Sequence, residues 1–249
     1  MPPPGNHPAM DTNGAIFVTG IILVALLPSL YYLVRARNSE RLGREPYTRL
    51  LVVFGYGAIS AVVVSLVLEI LIIGNLSRFE RLYMLGDTNF LGAVVVAPIV
   101  EEAAKAMGVV FVVGYFARAE DGLVHGVAAG LGFAATENLL YEVSALQVGV
   151  IAYFATALIR TISSTLLHAS ATGVTGLGLG RAHAMRRPLA FAFPYYLMAV
   201  LMHSFFNLVA GLGSTHPGLL GDYTDLASLA VCIVFAWVAF RLTRERLAA

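Results

Sequence analysis

Two adjacent carboxylates and one ammonium lie within a stretch of the sequence that is otherwise apolar. Glu101, Glu102 and Lys105 are the only charged side chains between Phe90 and Phe116. A carboxylate at the depth of a bilayer is costly unless it faces a polar interior or a partner. We therefore interpret these residues as a site in which a carboxyl group serves as a general acid or base.

Three later apolar stretches each carry a pair of residues four apart, which places the pair on one face of a helix. The pairs are Phe133 and Glu137, His168 and Thr172, and His203 and Asn207. Carboxylates and imidazoles activate water directly or hold a metal ion that does so. The amide of Asn207 is suited to stabilising a developing oxyanion. This combination of residue types is typical of a hydrolase.

The composition places the chain in a membrane. Of its 249 residues, 58% are hydrophobic and 12% are charged, and the mean hydropathy is +0.79. Soluble domains contain roughly a quarter charged residues. We predict an all-α polytopic transmembrane bundle in which the single Cys232 forms no intramolecular disulfide. The net charge of +1 implies nothing about acidic partners, and we expect no binding of nucleic acid.

About 20 apolar residues cross a bilayer, and this rule predicts seven spans. They cover residues 15–34, 50–73, 90–116, 122–141, 150–172, 189–212 and 226–240. Residues 1–14 are predicted to be a disordered tail, and residues 15–243 a single integral-membrane domain with its catalytic core at about 90–212. Ionisable residues near the span ends are expected to be solvated; they are Glu69, His125, His183 and His216.

The basic residues predict an orientation. They cluster after the first, fifth and seventh spans, at Arg35, Arg37, Arg41, Arg44 and Arg49, at Arg181, Arg186 and Arg187, and at Arg241, Arg244 and Arg246. With seven spans all three clusters lie on one side, and basic loops stay cytoplasmic. The amino terminus is then outside and the carboxyl terminus inside, in a multi-pass protein of the cell membrane. No connecting loop exceeds about fifteen residues, so any chemistry takes place within or beside the bilayer.

The polar faces of these four predicted helices should meet inside the bundle, because each polar residue needs a partner there. Glu101, Glu102 and Glu137 outnumber the cations Lys105 and Arg160. A protonated glutamate, an imidazolium or a bound cation makes up the difference, and the sequence leaves these alternatives open. Arg160 is either a counter-ion to the glutamates or a side chain that snorkels to the interface.

These motifs resemble those of the PrsW family of membrane-embedded proteases. Glu101-Glu-Ala-Ala-Lys105 is similar to the family's EExxK signature and Phe133-Ala-Ala-Thr-Glu137 to its FxxxE element; His168, followed by Thr172-Gly173, and the HxxxN pair His203 and Asn207 match its two later motifs in order. The wider superfamily of CAAX prenyl endopeptidases and bacteriocin-processing relatives has EExxxR and FxxxH elements instead. Lys105 and Glu137 therefore favour the PrsW branch.

The resemblance implies cleavage of a membrane-protein substrate such as an anti-sigma factor, cut on its outer side. It implies that Glu101 and Glu102 include the residue that activates water, with Lys105 holding them. Glu137, His168 and His203 complete the constellation and are the expected ligands if a divalent metal such as Zn²⁺ is bound, while Asn207 steadies the tetrahedral intermediate. The CAAX relatives are argued to work without a metal, and this chain has no HExxH zinc motif.

Two other functions fit the same residues. A proton-coupled transporter or channel would use the buried glutamates and histidines as a relay. A noncatalytic membrane scaffold would keep the polar cluster for packing alone. The expected partners are a membrane-protein substrate and the lipid bilayer, and the sequence does not indicate an oligomeric state.

Overall fold

A computed structural model describes residues 12–41, 43–83, 88–212, 219–220 and 223–248. Within these ranges the chain is all-helical, as predicted, with ten α-helices: α1 Thr12–Arg37, α2 Tyr47–Tyr56, α3 Val62–Tyr83, α4 Thr88–Leu91, α5 Ala97–Val110, α6 Ala119–Leu146, α7 Val150–Ile162, α8 Ser164–Ala184, α9 Phe193–Ala210 and α10 Thr224–Leu247. Short 3₁₀ turns occupy Val113–Tyr115 and Leu189–Ala192. Of the predicted tail, residues 12–14 belong to α1, and residues 1–11 lie outside the described ranges.

Five described segments are long and apolar enough to cross a membrane. They are Gly14–Arg37, Tyr47–Leu76, Val150–Ala184, Leu189–Ala210 and Thr224–Leu247. The two other predicted spans correspond to α4 with α5 and to α6, the segments that carry the glutamate motifs. The polar residues that suggest a site also weaken the apolar signal there. The count of seven spans and the orientation of the termini therefore stay predictions.

Helix α6 lies at the centre of the bundle and packs most extensively against α8. Its residues from Asp121 to Ala135 are buried on every side. A Cβ atom at Gly130 would overlap the carbonyl oxygen of His168, so glycine lets the two backbones touch at this point. Close approach of this kind is characteristic of small residues in membrane helices. The contact lets the His168 side chain reach Glu137, which lies about two turns further along α6.

The predicted fifth span is two helices in the structure. Helix α7 ends at Ile162, Ser163 has non-helical dihedral angles (φ −124°, ψ −82°), and α8 continues to Ala184 instead of ending at Thr172. The Ser163 hydroxyl donates to the carbonyl of Ile159 over 2.7 Å, a local bond of the kind that bends helices. The bend places Arg160, at the end of α7, beside the start of α8.

Two π-helical turns interrupt the helices that surround the site. Gly57–Ala61 joins α2 to α3, and Gly92–Val96 joins α4 to α5. Each contains a backbone carbonyl that accepts a hydrogen bond from another helix: Ala58 from the Thr136 hydroxyl at 2.6 Å, and Ala93 from the Asn207 amide at 2.8 Å. Such turns are frequent at functional sites.

Candidate active site

A cavity of about 520 Å³ opens between α3, α5, α6, α7, α8 and α9. Its polar wall includes five of the residues predicted from the motifs and their surroundings, namely Glu101, Glu137, Arg160, His168 and Asn207. Lys105 and His203 lie behind this wall and pair with Glu101, and Glu102 in turn pairs with both of them. All eight predicted site residues therefore belong to one region of the bundle.

Lys105 is completely buried at the centre of this region. Its Nζ atom lies 2.7 Å from Oε1 of Glu102, 3.5 Å from Oε2 of Glu101 and 2.9 Å from Nδ1 of His168. An ammonium has three N–H donors and no acceptor, so these three acceptors use its whole capacity. It also lies 4.4 Å from the ring centroid of Phe133. Lys105 thus joins both glutamates to the first histidine.

The contacts of His168 fix its tautomer. Because Nδ1 accepts a hydrogen bond from Lys105, the proton of the neutral ring lies on Nε2, which donates to Oε2 of Glu137 at 2.7 Å. The same carboxylate oxygen accepts from Nη2 of Arg160 at 2.8 Å. Arg160 is therefore a counter-ion to a glutamate, the first of its two predicted alternatives. It also donates to the Asn138 side chain at 2.7 Å.

The two adjacent glutamates occupy different environments. Glu102 is completely buried, and its oxygens accept from Lys105, from the Thr172 hydroxyl at 2.8 Å and from Nδ1 of His203 at 3.1 Å. Glu101 faces the cavity, and its nearest cation is Lys105 at 3.5 Å. Glu102 is thus held by the protein on all sides, whereas Glu101 has capacity left for a ligand.

The residues present suit a metal ion. Glu101, His168 and His203 are buried and offer ligand atoms that lie within 4.8 Å of one another. Two imidazoles and one carboxylate form a common zinc-binding set. Glu137 and Glu102 hydrogen-bond the other ring nitrogens of His168 and His203, as carboxylates often do behind zinc-bound histidines. A metal on Nδ1 of His168 requires the Lys105 ammonium to leave that atom.

This group differs in one member from the metal ligands predicted from the sequence, which were Glu137, His168 and His203. Glu137 lies behind the His168 ring, and Glu101 takes its place beside the histidines. Asn207 lines the cavity, but one of its amide protons is already bonded to the Ala93 carbonyl. Its second amide proton remains for a ligand.

Two residues expected to be solvated are not. His125 is completely buried, because α6 is covered on all sides, and its Nδ1 donates to the Asp121 carbonyl at 2.7 Å. Glu69 is partly buried and lines the cavity. A lone carboxylate within an apolar helix was the sequence signal that could have identified it. His183 is exposed as expected, and His216 lies outside the described residues.

Sequence reasoning also missed Tyr141 and Ser164, which line the cavity next to Arg160. The guanidinium carbon of Arg160 lies 3.9 Å from the ring centroid of Tyr141, and Nη2 donates to the Ser164 hydroxyl at 3.0 Å. Tyr141 lies at the end of a predicted span, and Ser164 follows a helix break. Neither residue has a sequence signal that separates it from interface or packing positions.

An acid- and imidazole-lined cavity within apolar helices is an arrangement that suits a membrane-embedded hydrolase. The profile described as PrsW family intramembrane metalloprotease matches residues 45–240, and the chain belongs to this family. The chain is also 33% identical over 138 residues to Protease PrsW of Clostridioides difficile (strain 630), an alignment covering 52% of this chain and 56% of the relative. The matched part spans about half the length of that relative. No solved structure matches the chain. The resemblance predicted from the motifs is confirmed, and the family is one of intramembrane metalloproteases.

Proposed function

We propose that this protein is an endopeptidase that hydrolyses a peptide bond of a membrane-protein substrate inside the cavity, in the cell membrane. The observation that carries the proposal is the group of Glu101, His168 and His203, which combines a cavity-facing carboxylate with two imidazoles. Helices α3 and α9 contribute apolar cavity residues such as Leu66 and Phe206, which suit the side chains of a membrane segment. By family resemblance the substrate is an anti-sigma-factor-like protein cut on its outer side.

Glu101, His168 and His203 hold a divalent cation such as Zn²⁺ in this proposal. When bound there, such an ion would supply Lewis-acid chemistry, polarising the scissile carbonyl and lowering the pKa of water. Glu102 orients His203 through Nδ1, and Lys105 together with Thr172 holds Glu102 in place. A carboxylate on the far nitrogen fixes the ring orientation and makes the imidazole a better ligand.

Glu137 is the proposed proton carrier. One of its oxygens serves His168 and Arg160, and no described residue donates to Oε1. Since Glu137 lines the cavity, Oε1 is placed to accept a proton from the attacking water and to return it to the leaving amine. The second amide proton of Asn207 faces the charge that develops on the scissile oxygen, as proposed from the sequence.

Matched glutamate variants test this division of roles. We expect purified wild-type chain to hold about one divalent metal ion, and Glu101→Gln to lose both metal and cleavage of a tagged single-span substrate. Glu137→Gln should keep the metal and lose about 10²–10⁴-fold in kcat, the usual contribution of a general base. Glu142→Gln is the control, because Glu142 is buried on the same helix but does not line the cavity.

The measurements separate the proposal from its alternatives. If the metal-free protein is fully active, the metal has no role in cleavage and Glu101 itself takes the proton from water. The contact of the Lys105 ammonium with Nδ1 of His168 would explain this result, because it occupies the nitrogen that a metal would need. Retained cleavage in Glu101→Gln would contradict the proposed site. Proton flux through liposomes that contain the protein, without cleavage of any substrate, would favour the relay function.

A further inference from the structure

Glu69 is a cavity residue that the proposed catalytic arrangement does not use. It is the only charged residue between Val62 and Ile73, in the middle of α3. Its carboxylate is partly buried and shares the cavity with Glu101, Glu137 and Arg160. No hydrogen bond or ion pair joins it to another described residue. An unpaired carboxylate in an apolar membrane helix is costly, so we look for its partner outside the chain.

The position of Glu69 along the cavity is set by the contact between α3 and the π turn Gly92–Val96. A Cβ at Gly92 would lie 3.0 Å from the Cδ1 atom of Ile73, so these two positions are level with each other. At about 1.5 Å per helical residue, Glu69 lies about 6 Å from this level and Glu101 about 13 Å from it. Glu69 is thus about 7 Å nearer to that end of the cavity, the outer end in the predicted orientation.

The charge of the cavity wall indicates the chemistry of the missing partner. Of the three carboxylates in this wall, Glu101 pairs with Lys105 and Glu137 pairs with Arg160, whereas Glu69 has no ion pair with a described residue. The guanidinium is already bonded to Glu137 and to Asn138. A cation that pairs with Glu69 therefore has to enter from the substrate side.

We propose that Glu69 forms a subsite for a lysine or arginine side chain of the substrate. The offset of about 7 Å is between the backbones of Glu69 and Glu101, and side chains of these antiparallel helices point toward each other along the cavity, so it corresponds to at most about two residues of an extended chain, at 3.3–3.6 Å per residue. The basic residue therefore lies within about two positions of the scissile bond, where a membrane segment meets the outer interface. Basic residues are depleted on that side of membrane proteins, so such a subsite distinguishes substrates from other single-span proteins. This inference rests on the proposed function.

A positional scan of a peptide substrate tests the subsite. The probes are quenched Leu- and Ala-rich single-span peptides in which each central position in turn is Lys, Gln or Glu, cleaved by the full chain in detergent. We expect Lys at one position to raise kcat/KM about tenfold over Gln, mainly through KM, as for a hydrogen bond to a charged group. Glu69→Gln should bring this ratio close to one, and Glu69→Lys should shift the preference to the Glu peptide.

A matched control and a binding measurement make the test decisive. Glu142→Gln removes a buried carboxylate outside the cavity and should keep the wild-type ratio. Binding of fluorescent Lys and Gln peptides is measured in the Glu101→Gln chain with and without Glu69→Gln, so that the readout needs no cleavage. A lysine preference that persists in Glu69→Gln, or a binding ratio near one, overturns the subsite. A Glu69-dependent binding ratio without cleavage by the wild type supports the subsite and contradicts the hydrolase.

Discussion

Two clusters that combine acids with histidine lie in this bundle, and they differ in which groups hydrogen-bond their acids. The cavity cluster consists of Glu101, Glu102, Lys105, Glu137, Arg160, His168 and His203. The loop cluster consists of Glu40, Glu45, Asp121 and His125, all at most 9% exposed. In the loop cluster Asp121 accepts from the backbone N–H groups of residues 117 and 118, and Glu40 accepts from that of Glu45. In the cavity cluster the acids accept from side chains. Glu101 and Glu102 accept from Lys105 on their own helix, and Glu102 and Glu137 also accept from side chains of other helices.

The difference shows what each cluster does. Asp121 forms a capping box with Arg118 at the start of α6, and Arg118 also donates to the Gly43 carbonyl at 2.9 Å. The loop cluster therefore connects the α1–α2 loop to the first turn of α6 through hydrogen bonds and has a structural role. The cavity cluster uses none of its acids as helix caps and keeps Glu101 and Glu137 open to a cavity. Buried acids beside a histidine mark a catalytic site only when they face space that a substrate can occupy.

A histidine-to-glutamine substitution in each cluster tests this distinction, and the one in the cavity cluster has the largest expected effect on cleavage. His168→Gln should lower cleavage about 10²–10⁴-fold, because His168 contacts Lys105 and Glu137 and offers a metal ligand. His125→Gln should leave cleavage near the wild-type rate and lower only the thermal stability. Rates are compared per amount of monodisperse protein in detergent. Equal loss of activity in both variants would mean that the loop cluster is part of the site.

Substitution of Lys105 has the next largest expected effect, on the free energy of unfolding. Lys105→Met leaves Glu102 buried without its cation, which costs about 3–5 kcal/mol when one partner of a buried pair is removed. The double variant Lys105→Met with Glu102→Gln should recover part of this loss, since the amide still bonds Thr172 and His203. Thermal unfolding in detergent measures both. A single variant as stable as the wild type would show that Glu102 is neutral in the folded protein.

Arg160 is expected to have a smaller, geometric effect. Arg160→Lys keeps the charge but cannot bond Glu137, Asn138 and Ser164 together. We expect kcat to fall about tenfold through misplacement of Glu137 and His168, with little change in metal content. Arg118→Lys is the matched change in the loop cluster and should not alter kcat. An unaltered kcat in Arg160→Lys would limit Arg160 to charge compensation.

The sequence predicted the helical class, every residue of the cavity cluster and its neighbour Asn207, because charged and polar side chains at helical spacing in apolar segments must find partners inside the bundle. It could not separate Glu101 from Glu102, since their roles depend on Thr172 and His203 on other helices. It also missed the break at Ser163, because an apolar run looks the same in one helix or two. His125 was misplaced for a related reason, as burial of α6 comes from the helices around it.

Glu40 gives the smallest effect and the one that depends on pH. Burial raises the pKa of this loop carboxyl from 4.5 to about 7, and the charges of Glu45 and Asp121 act in the same direction. The hydrogen bond from the Glu45 backbone N–H and the charge of Arg118 lower the pKa but do not cancel the rise. The folded state therefore binds more protons than the unfolded state between these pH values, and the free energy of unfolding falls as pH rises from about 4.5 to 7. Glu40→Gln should flatten this slope, with the same Tm as wild type at pH 4 and a Tm about 2–4 °C higher at pH 8. Glu45, whose pKa burial also raises, leaves a residual slope. Because the loop cluster does not line the cavity, kcat of Glu40→Gln should match the wild type at every pH. A shifted pH–rate profile would instead couple the loop to the cavity.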